Sequence, residues 1–282
     1  MNSEKLIKSP LNYTGGKYKL LPQILPLFPN DINTFIDLFG GGFNVGINIE
    51  ANRVIYNDTE EVVVDLLKNL KDLGAEKSLE ILKNTINKYK LSKTNEEGFK
   101  QIRKDYNDGN KSWDMFYAML TNAFNYQIRF NKSGEYNMPF GRDRSSFNPS
   151  LEKRFIEFVN ELENKNIFLV SGDFKRLEVD KIKEDDLVYC DPPYLISTAT
   201  YNENGGWTTE DEEDLLFLLD TLNENNIKFA LSNVLYHKGQ SNDILIEWSK
   251  RYNVHYLDKS YSNCSYQLKD SGQTVEVLIT NY

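Results

Sequence analysis

Two cysteines and two histidines in 282 residues are too few for several kinds of chemistry. Cys190 and Cys264 cannot build a disulfide framework, and such sparse cysteine fits a reducing compartment. Two histidines give no metal-ligand spacing, so no metal site is expected. No apolar run approaches the roughly 20 residues of a membrane-spanning helix. Residues 1–9 lack the apolar core of a signal peptide. The expected setting is the cytoplasm, with no membrane partner. Internal repeats, low-complexity tracts and flexible linkers are also missing. Two nucleotide signatures fall short. The glycines at 40–42 and 46 miss GxGxxG, because Val45 stands at the required last glycine. Gly15-Gly16-Lys17 lacks the earlier glycine of a phosphate loop, where Leu11 stands, and Tyr18 replaces the hydroxyl residue after the lysine.

Positive charge is scarce overall, with a net charge of −9. Alone, that argues against a nucleic-acid partner, since phosphate neutralisation drives such binding. Distribution matters more than the total. Residues 125–154 carry Arg129, Lys132, Arg142, Arg144, Lys153 and Arg154 against only Glu135, Asp143 and Glu152. A locally basic stretch therefore sits inside an acidic chain.

The order of apolar runs predicts an α/β core. Residues 34–39 read as a buried strand, followed by Gly40-Gly41-Gly42 and a helix over 43–51. Residues 53–58 form a second strand ending in an acid, and 60–73 have helical periodicity. Further strands are expected at 167–170, 186–190, 227–231 and 275–280, with an acid-capped helix at 210–223. Between these parts the texture changes. Lys, Asn, Tyr and Glu dominate, helices are expected at 78–90 and 113–125, and 131–148 is rich in turn residues. The expected organisation is a discontinuous core, 1–58 with 167–282, split by an insertion at 59–166.

After the strand at 186–190 comes Asp191-Pro192-Pro193-Tyr194. The carboxyl ends of strands are where open α/β sheets bind ligands. Asp191 can accept a hydrogen bond from an amine. Pro192 offers a carbonyl without an N–H, and the two rings fix φ so that this carbonyl stays aimed. Tyr194 supplies a stacking face. The set suits an exocyclic amine on a flat base. By itself it does not separate adenine from cytosine N4, an RNA base or a glutamine side chain. The basic insertion favours duplex DNA. Cys190 reads as a packed strand residue.

A cofactor without phosphates fits the remaining residues. Gly-rich backbone after the first strand permits close approach of an amino-acid moiety. Asp58 ends the second strand, where an acid can hold ribose hydroxyls. Asp173 and Phe174 can pair with and stack on an adenine. S-adenosylmethionine has these three parts and a cationic sulfonium.

The pattern resembles the Dam family of DNA adenine-N6 methyltransferases. The resemblance rests on Asn12-Tyr13-Thr14-Gly15-Gly16-Lys17, on residues 35–42, on Asn57-Asp58 and on Ile128-Arg129-Phe130-Asn131. It continues through Asn137-Met138-Pro139-Phe140-Gly141, Gly172-Asp173-Phe174, the Asp191 tetrapeptide and residues 276–282. It implies a Rossmann-like S-adenosylmethionine-dependent core with a mostly helical target-recognition insertion containing a hairpin. Tyr13 and Lys17 would help bind the cofactor. Asp37 with Gly40 and Gly42 after it would cradle its methionine part, and Phe39 would also bind the cofactor. Asp58 would take the ribose, and Asp173 with Phe174 the adenine. Asp191 to Tyr194 would hold a flipped-out target adenine. Asn125, Arg129, Asn131, Pro139, Arg142 and Arg144 would contact DNA, with Arg129 reading a guanine of GATC. The implied partners are double-stranded DNA and, where methylation guards against cleavage, a cognate restriction endonuclease. Three positions depart from some members, which have lysine at Asn12, an apolar residue at Gln127 and tyrosine at Asp143.

Overall fold

A computed structural model describes residues 5–13, 15–196, 206–257 and 274–282. Cys264 and Thr14 lie outside the described residues. The chain divides into two compact units. One comprises Lys17–Gly40, Ile49–Thr59 and Val170–Tyr282; the other comprises Met1–Gly16, Gly41–Asn48 and Glu60–Leu169.

The first unit is built on a sheet. The strands are β1 (Thr34–Asp37), β2 (Arg53–Asp58), β3 (Ile167–Ser171, of which Val170 and Ser171 fall in this unit), β4 (Leu187–Cys190), β5 (Lys228–His237), β6 (Gln240–Ser241), β7 (Asn253–Tyr256) and β8 (Val275–Thr280). Their order is β3-β2-β1-β4-β5-β8-β7, with β6 beside β5. β1 pairs in parallel with both β2 and β4, and β4 with β5, while β8 runs antiparallel to β5 and β7. From β1 the chain builds outward to β2 and β3; from β4 it builds the other way. The order therefore reverses between β1 and β4, and in open α/β sheets ligands bind outside the carboxyl ends of the strands at such a point. This mixed α/β sheet is consistent with a methyltransferase core.

The central strands are buried on both faces, which is why they read as continuous apolar runs. Ile36, Val188, Phe229, Leu231 and Val277 share one core with Leu215, Leu219 and Leu222 of α6 (Thr209–Glu224) and with Leu245 and Trp248 of α7 (Asp243–Ser249). On the other face Phe35 stacks on Tyr189 at 6.0 Å, and Phe28 meets both rings at 5.7 Å. The expected acid-capped helix is α6, where Thr208 and Asp211 form a reciprocal capping box.

The second unit is mainly helical. It contains α2 (Glu61–Lys88), α3 (Glu96–Asn107), α4 (Trp113–Leu120) and α5 (Pro149–Asn164). The two helices expected at 60–73 and 78–90 both form, as two helical segments of α2 that meet at Gly74, whose φ of 72° and ψ of 173° are not helical. The helix expected at 113–125 stops at Leu120. Thr121 and Asn122 turn their side chains back onto the Ala118 carbonyl at 2.9 and 2.8 Å, competing with the next helical turn.

The helix expected over 43–51 is absent; only a single 3-10 turn, Gly46–Asn48, forms there. Phe43 has φ 58°, a left-handed conformation that a helix cannot continue. The asparagines then serve tertiary bonds. Asn44 accepts from the Ser9 amide at 3.1 Å, and Asn48 exchanges two 2.8 Å bonds with Ile7. These bonds satisfy the backbone of residues 7–9 and outweigh a weak local helix preference.

Candidate active site

Three strand ends of the sheet unit are tied together by one side chain. Asn57, near the end of β2, donates to the carbonyls of Leu38 at 3.0 Å and Gly172 at 2.9 Å. Its own carbonyl accepts from Gly40 at 2.8 Å, and Gly172 donates to the Asp58 carbonyl at 3.2 Å. The ends of β1, β2 and β3 are thereby stitched, and they carry Phe39, Asp58 and Asp173. Asp37 is buried at the end of β1. Asp58 is half-buried. Asp173 is exposed, and its carboxylate caps a short turn by accepting from the Lys175 amide at 2.9 Å.

Beside these ends three rings form an aromatic cluster. Phe39 and Phe174 lie 5.4 Å apart between centroids, and Trp207 lies 5.7 Å from Phe39 and 5.5 Å from Phe174. Sequence reading named the two phenylalanines and missed Trp207. Its indole N–H donates at 2.6 Å to Glu212, which is fully buried and also accepts from Asn242 at 2.7 Å and Asn233 at 3.3 Å. Burial pushes the Glu212 carboxyl up, and the three donors pull against that shift. Nothing in the local sequence marks Trp207, because its place is set by a network reaching across α6, β5 and the start of α7.

Gly40 has a packing reason to be glycine. A Cβ there would lie 2.2 Å from a ring carbon of Tyr56, which is fully buried. In the helical unit, the ring of Tyr13 lies against Gly41, whose φ is 48°, and the Tyr13 side chain also covers Gly42. A Cβ on either would approach Tyr13 to 3.1 and 3.0 Å.

Asp191 follows β4 and its side chain is 19% exposed. Lys17, 3% exposed, places its ammonium 2.7 Å from Asp191 Oδ1, 3.5 Å from Glu276 Oε1 and 5.0 Å from the centre of the Tyr194 ring. The Tyr194 hydroxyl lies 3.0 Å from Glu276 Oε1 and 3.3 Å from Asp191 Oδ1. It has one proton to donate, and Glu276 is the nearer acceptor. Burial holds the Asp191 carboxyl above the usual carboxylate range, and the Lys17 ammonium draws it back down. The Tyr194 phenol is raised by burial and then by the two carboxylates, so it remains a neutral donor. Glu276 is a site residue that sequence reading left without a role. The available signal was an acid within the apolar run 275–280.

If Asp191 works on a target amine as a carboxylate, activity should fall as that carboxyl is protonated. Lys17→Gln removes the charge that lowers its pKa and leaves the burial that raises it. The acid limb of the single-turnover rate should then move to higher pH, read from a rate–pH profile against the unaltered chain. An unmoved limb would refute the coupling.

The residues expected to meet DNA all fall in the helical unit. Arg129 and Asn131 lie on a hairpin closed by the Phe130–Tyr136 bridge. The Asn131 side chain closes the turn, accepting from the amides of Ser133 and Glu135 at 3.0 Å each. Pro139, Asn125, Arg142 and Arg144 are exposed. Arg142 pairs with Glu96, and the Asn125 carbonyl accepts from Asn12 at 2.8 Å. Asn125 and Tyr126 both have positive φ, 54° and 55°, an unusual pair of left-handed residues in one turn. Among the described residues no cluster of His, Cys, Asp or Glu is placed to hold a metal, and no helix is long and apolar enough to cross a membrane.

Beyond the strand ends where the sheet order reverses, a carboxylate and an aromatic ring thus meet around one buried ammonium. Residues 13–263 match the model of the D12 class N6 adenine-specific DNA methyltransferases, and the chain belongs to that family. It is 51% identical over 280 residues to the type II methyltransferase M.FokI of Planomicrobium okeanokoites, covering 98% of this chain and 43% of that protein. It is 43% identical over 287 residues to the modification methylase StsI of Streptococcus sanguinis, covering all of this chain and 44% of that one. The DNA adenine methylase of Escherichia coli K12 is 26% identical over 258 residues, covering 87% and 85%. The chain thus spans under half the length of the first two relatives.

Proposed function

We propose that this chain transfers a methyl group from S-adenosylmethionine to N6 of an adenine rotated out of duplex DNA, working in the cytoplasm. The observation that carries this reading is the seat of the Lys17 ammonium. A nitrogen lies 2.7 Å from the Asp191 carboxylate and 5.0 Å from the centre of the Tyr194 ring. A stacked base presenting its amine to Asp191 needs a carboxylate and an aromatic face in that relation.

Adenine inside a duplex is out of reach, so the base must leave the stack at a cost of a few kcal/mol. Tyr194 would repay part of it by stacking. The adenine amine is a weak nucleophile, because its lone pair is delocalised into the ring. Hydrogen bonds to Asp191 and the Pro192 carbonyl would concentrate that lone pair on N6, and Pro193 would keep the carbonyl aimed. Asp191 would also take up the proton that N6 sheds.

The residues present fit the cofactor. The Phe39–Phe174–Trp207 cluster offers apolar faces for an adenine, Asp58 an acceptor for ribose hydroxyls, and Asp37 with the Gly40 backbone a polar end for the amino-acid part. Lys17 and Asp173 complete the set in the sheet unit. When bound, S-adenosylmethionine supplies a methyl group activated by the sulfonium. Asp58→Ala should weaken its binding roughly tenfold or more, the worth of one or two charge-assisted hydrogen bonds. Calorimetry reads this, and an unchanged Kd would remove Asp58 from the ribose site.

The helical unit would carry target recognition, with the hairpin and the basic stretch 125–154 against DNA and Arg129 on a guanine. GATC is the target that the Dam resemblance implies. The higher identity to modification methylases favours a role beside a cognate restriction endonuclease. Sequencing modified bases in DNA from cells expressing the chain tests the whole reading. N6-methyladenine within a fixed sequence is expected, and that sequence names the target. N4-methylcytosine, or no modified adenine, would overturn it.

A further inference from the structure

We infer that Asn137 is a specificity-determining positioning residue, which fixes the guanidinium of Arg129 so that one edge of it faces a guanine. The inference rests on the reading of Arg129 as the base reader. Arg129 Nε donates to Asn137 Oδ1 at 2.8 Å, and Arg129 Nη2 donates to the Asn137 carbonyl at 3.1 Å. Asn137 returns a backbone bond, its amide donating to the Arg129 carbonyl at 3.1 Å. One residue thus grips the arginine along a single edge.

A guanidinium has five N–H groups in a rigid plane. Asn137 engages two. The Nη1–Nη2 edge keeps two parallel donors, the fork that matches guanine O6 and N7. A grip on the Nε side therefore orients this second edge without consuming it. A freely rotating arginine would give up rotamer entropy on each encounter; this one has given it up in advance.

The grip has a rigid foundation. Both neighbours of Asn137 are bonded through their backbones to α3. The Tyr136 amide donates to Asn107 at 2.9 Å, and Asn107 donates back to the Tyr136 carbonyl at 3.1 Å. Arg103 donates to the Met138 carbonyl at 2.9 Å. The Tyr136 ring is buried, and its hydroxyl donates to the Gln127 carbonyl at 2.8 Å, two residues before Arg129. Position is passed from α3 to residues 136–138, and from Asn137 to Arg129. The side chain of Asn137 bears none of the bonds to α3, so its removal should leave the hairpin standing.

The test measures kcat/KM on a duplex carrying the target mapped from methylated DNA and on duplexes with each guanine changed singly. Asn137→Ala should narrow the ratio between the preferred and the altered duplex by on the order of tenfold, within the range a bidentate guanine contact supplies. Melting temperature and cofactor Kd should stay near those of the unaltered chain. Asn137→Asp keeps an acceptor for Nε and should restore the ratio, while its charge weakens binding to all duplexes alike. The double variant Arg129→Ala, Asn137→Ala should discriminate no worse than Arg129→Ala alone. If Arg129→Ala leaves the ratio intact, the base-reader reading fails. If Arg129→Ala narrows it and Asn137→Ala does not, that reading stands and the positioning role is overturned. Equal weakening on all duplexes with a smaller salt slope would make Asn137 a phosphate contact and overturn it too.

Discussion

Replacing Asp191 with alanine is expected to cut single-turnover methylation by about 10²–10³-fold or more, the scale of losing one preorganised hydrogen-bonding group at a reacting atom. Cofactor affinity should change little, because in this reading the carboxylate acts on the target amine. The ion pair with Lys17 complicates the alanine variant. Lys17 is 3% exposed and would lose the carboxylate 2.7 Å away, leaving Glu276 at 3.5 Å. Breaking a buried pair costs up to about 3–5 kcal/mol, less here because Asp191 is partly open to solvent. Asp191→Asn therefore accompanies it. Asparagine preserves the shape and one acceptor oxygen but loses the charge, so it should keep more stability and still be severely slowed. Thermal unfolding, calorimetry with the cofactor and a single-turnover assay on both variants separate folding from chemistry. Near-wild-type turnover in Asp191→Asn would remove the carboxylate's charge from the mechanism.

Gly40→Ala is expected to lower stability by about 1–3 kcal/mol, the usual cost of forcing an extra methyl into a filled core. Its Cβ would meet the Tyr56 ring at 2.2 and 2.3 Å, and Tyr56 has no solvent-exposed direction in which to yield. The displaced backbone carries Phe39 on one side and the bond from Gly40 to Asn57 on the other, so cofactor affinity should fall as well. A second substitution identifies the cause. Tyr56→Leu removes the ring carbons at fault, so Gly40→Ala should cost much less in a Tyr56→Leu background. Tyr56→Phe retains those carbons and should give no relief. A melting temperature unchanged by Gly40→Ala would show that the backbone relaxes freely and would sink the packing explanation.

Much of this protein was legible as pattern. The strands at 53–58 and 275–280 have the extents expected from their apolar runs. The other central strands stand out because both their faces are buried, which leaves an unbroken apolar signature. Asp191-Pro192-Pro193-Tyr194 was visible because its chemistry is local: four consecutive residues at the end of one strand. Family membership could likewise be read from short motifs in a fixed order.

Other features were decided by distant residues. Residues 43–51 are not a helix because Asn44 and Asn48 bond to residues 7 and 9, about 35 to 41 positions earlier. Glu276 joins Asp191 only because β8 lies beside β5 and β5 beside β4, and Lys17, far away in sequence, meets both carboxylates there. Trp207 reaches the Phe39–Phe174 pair through a buried acid on α6, and Asn137 holds Arg129 through a hairpin fastened to α3. The sequence alone determined the central strands of the sheet and the residue types at their ends, since burial and local motifs act over a few neighbouring positions; β6 and β7, little buried, left no such signature. Only the tertiary structure decided which side chains share a charge, a proton or a ring face. Those pairings depend on distances of about 3–5 Å between residues that the chain itself keeps far apart.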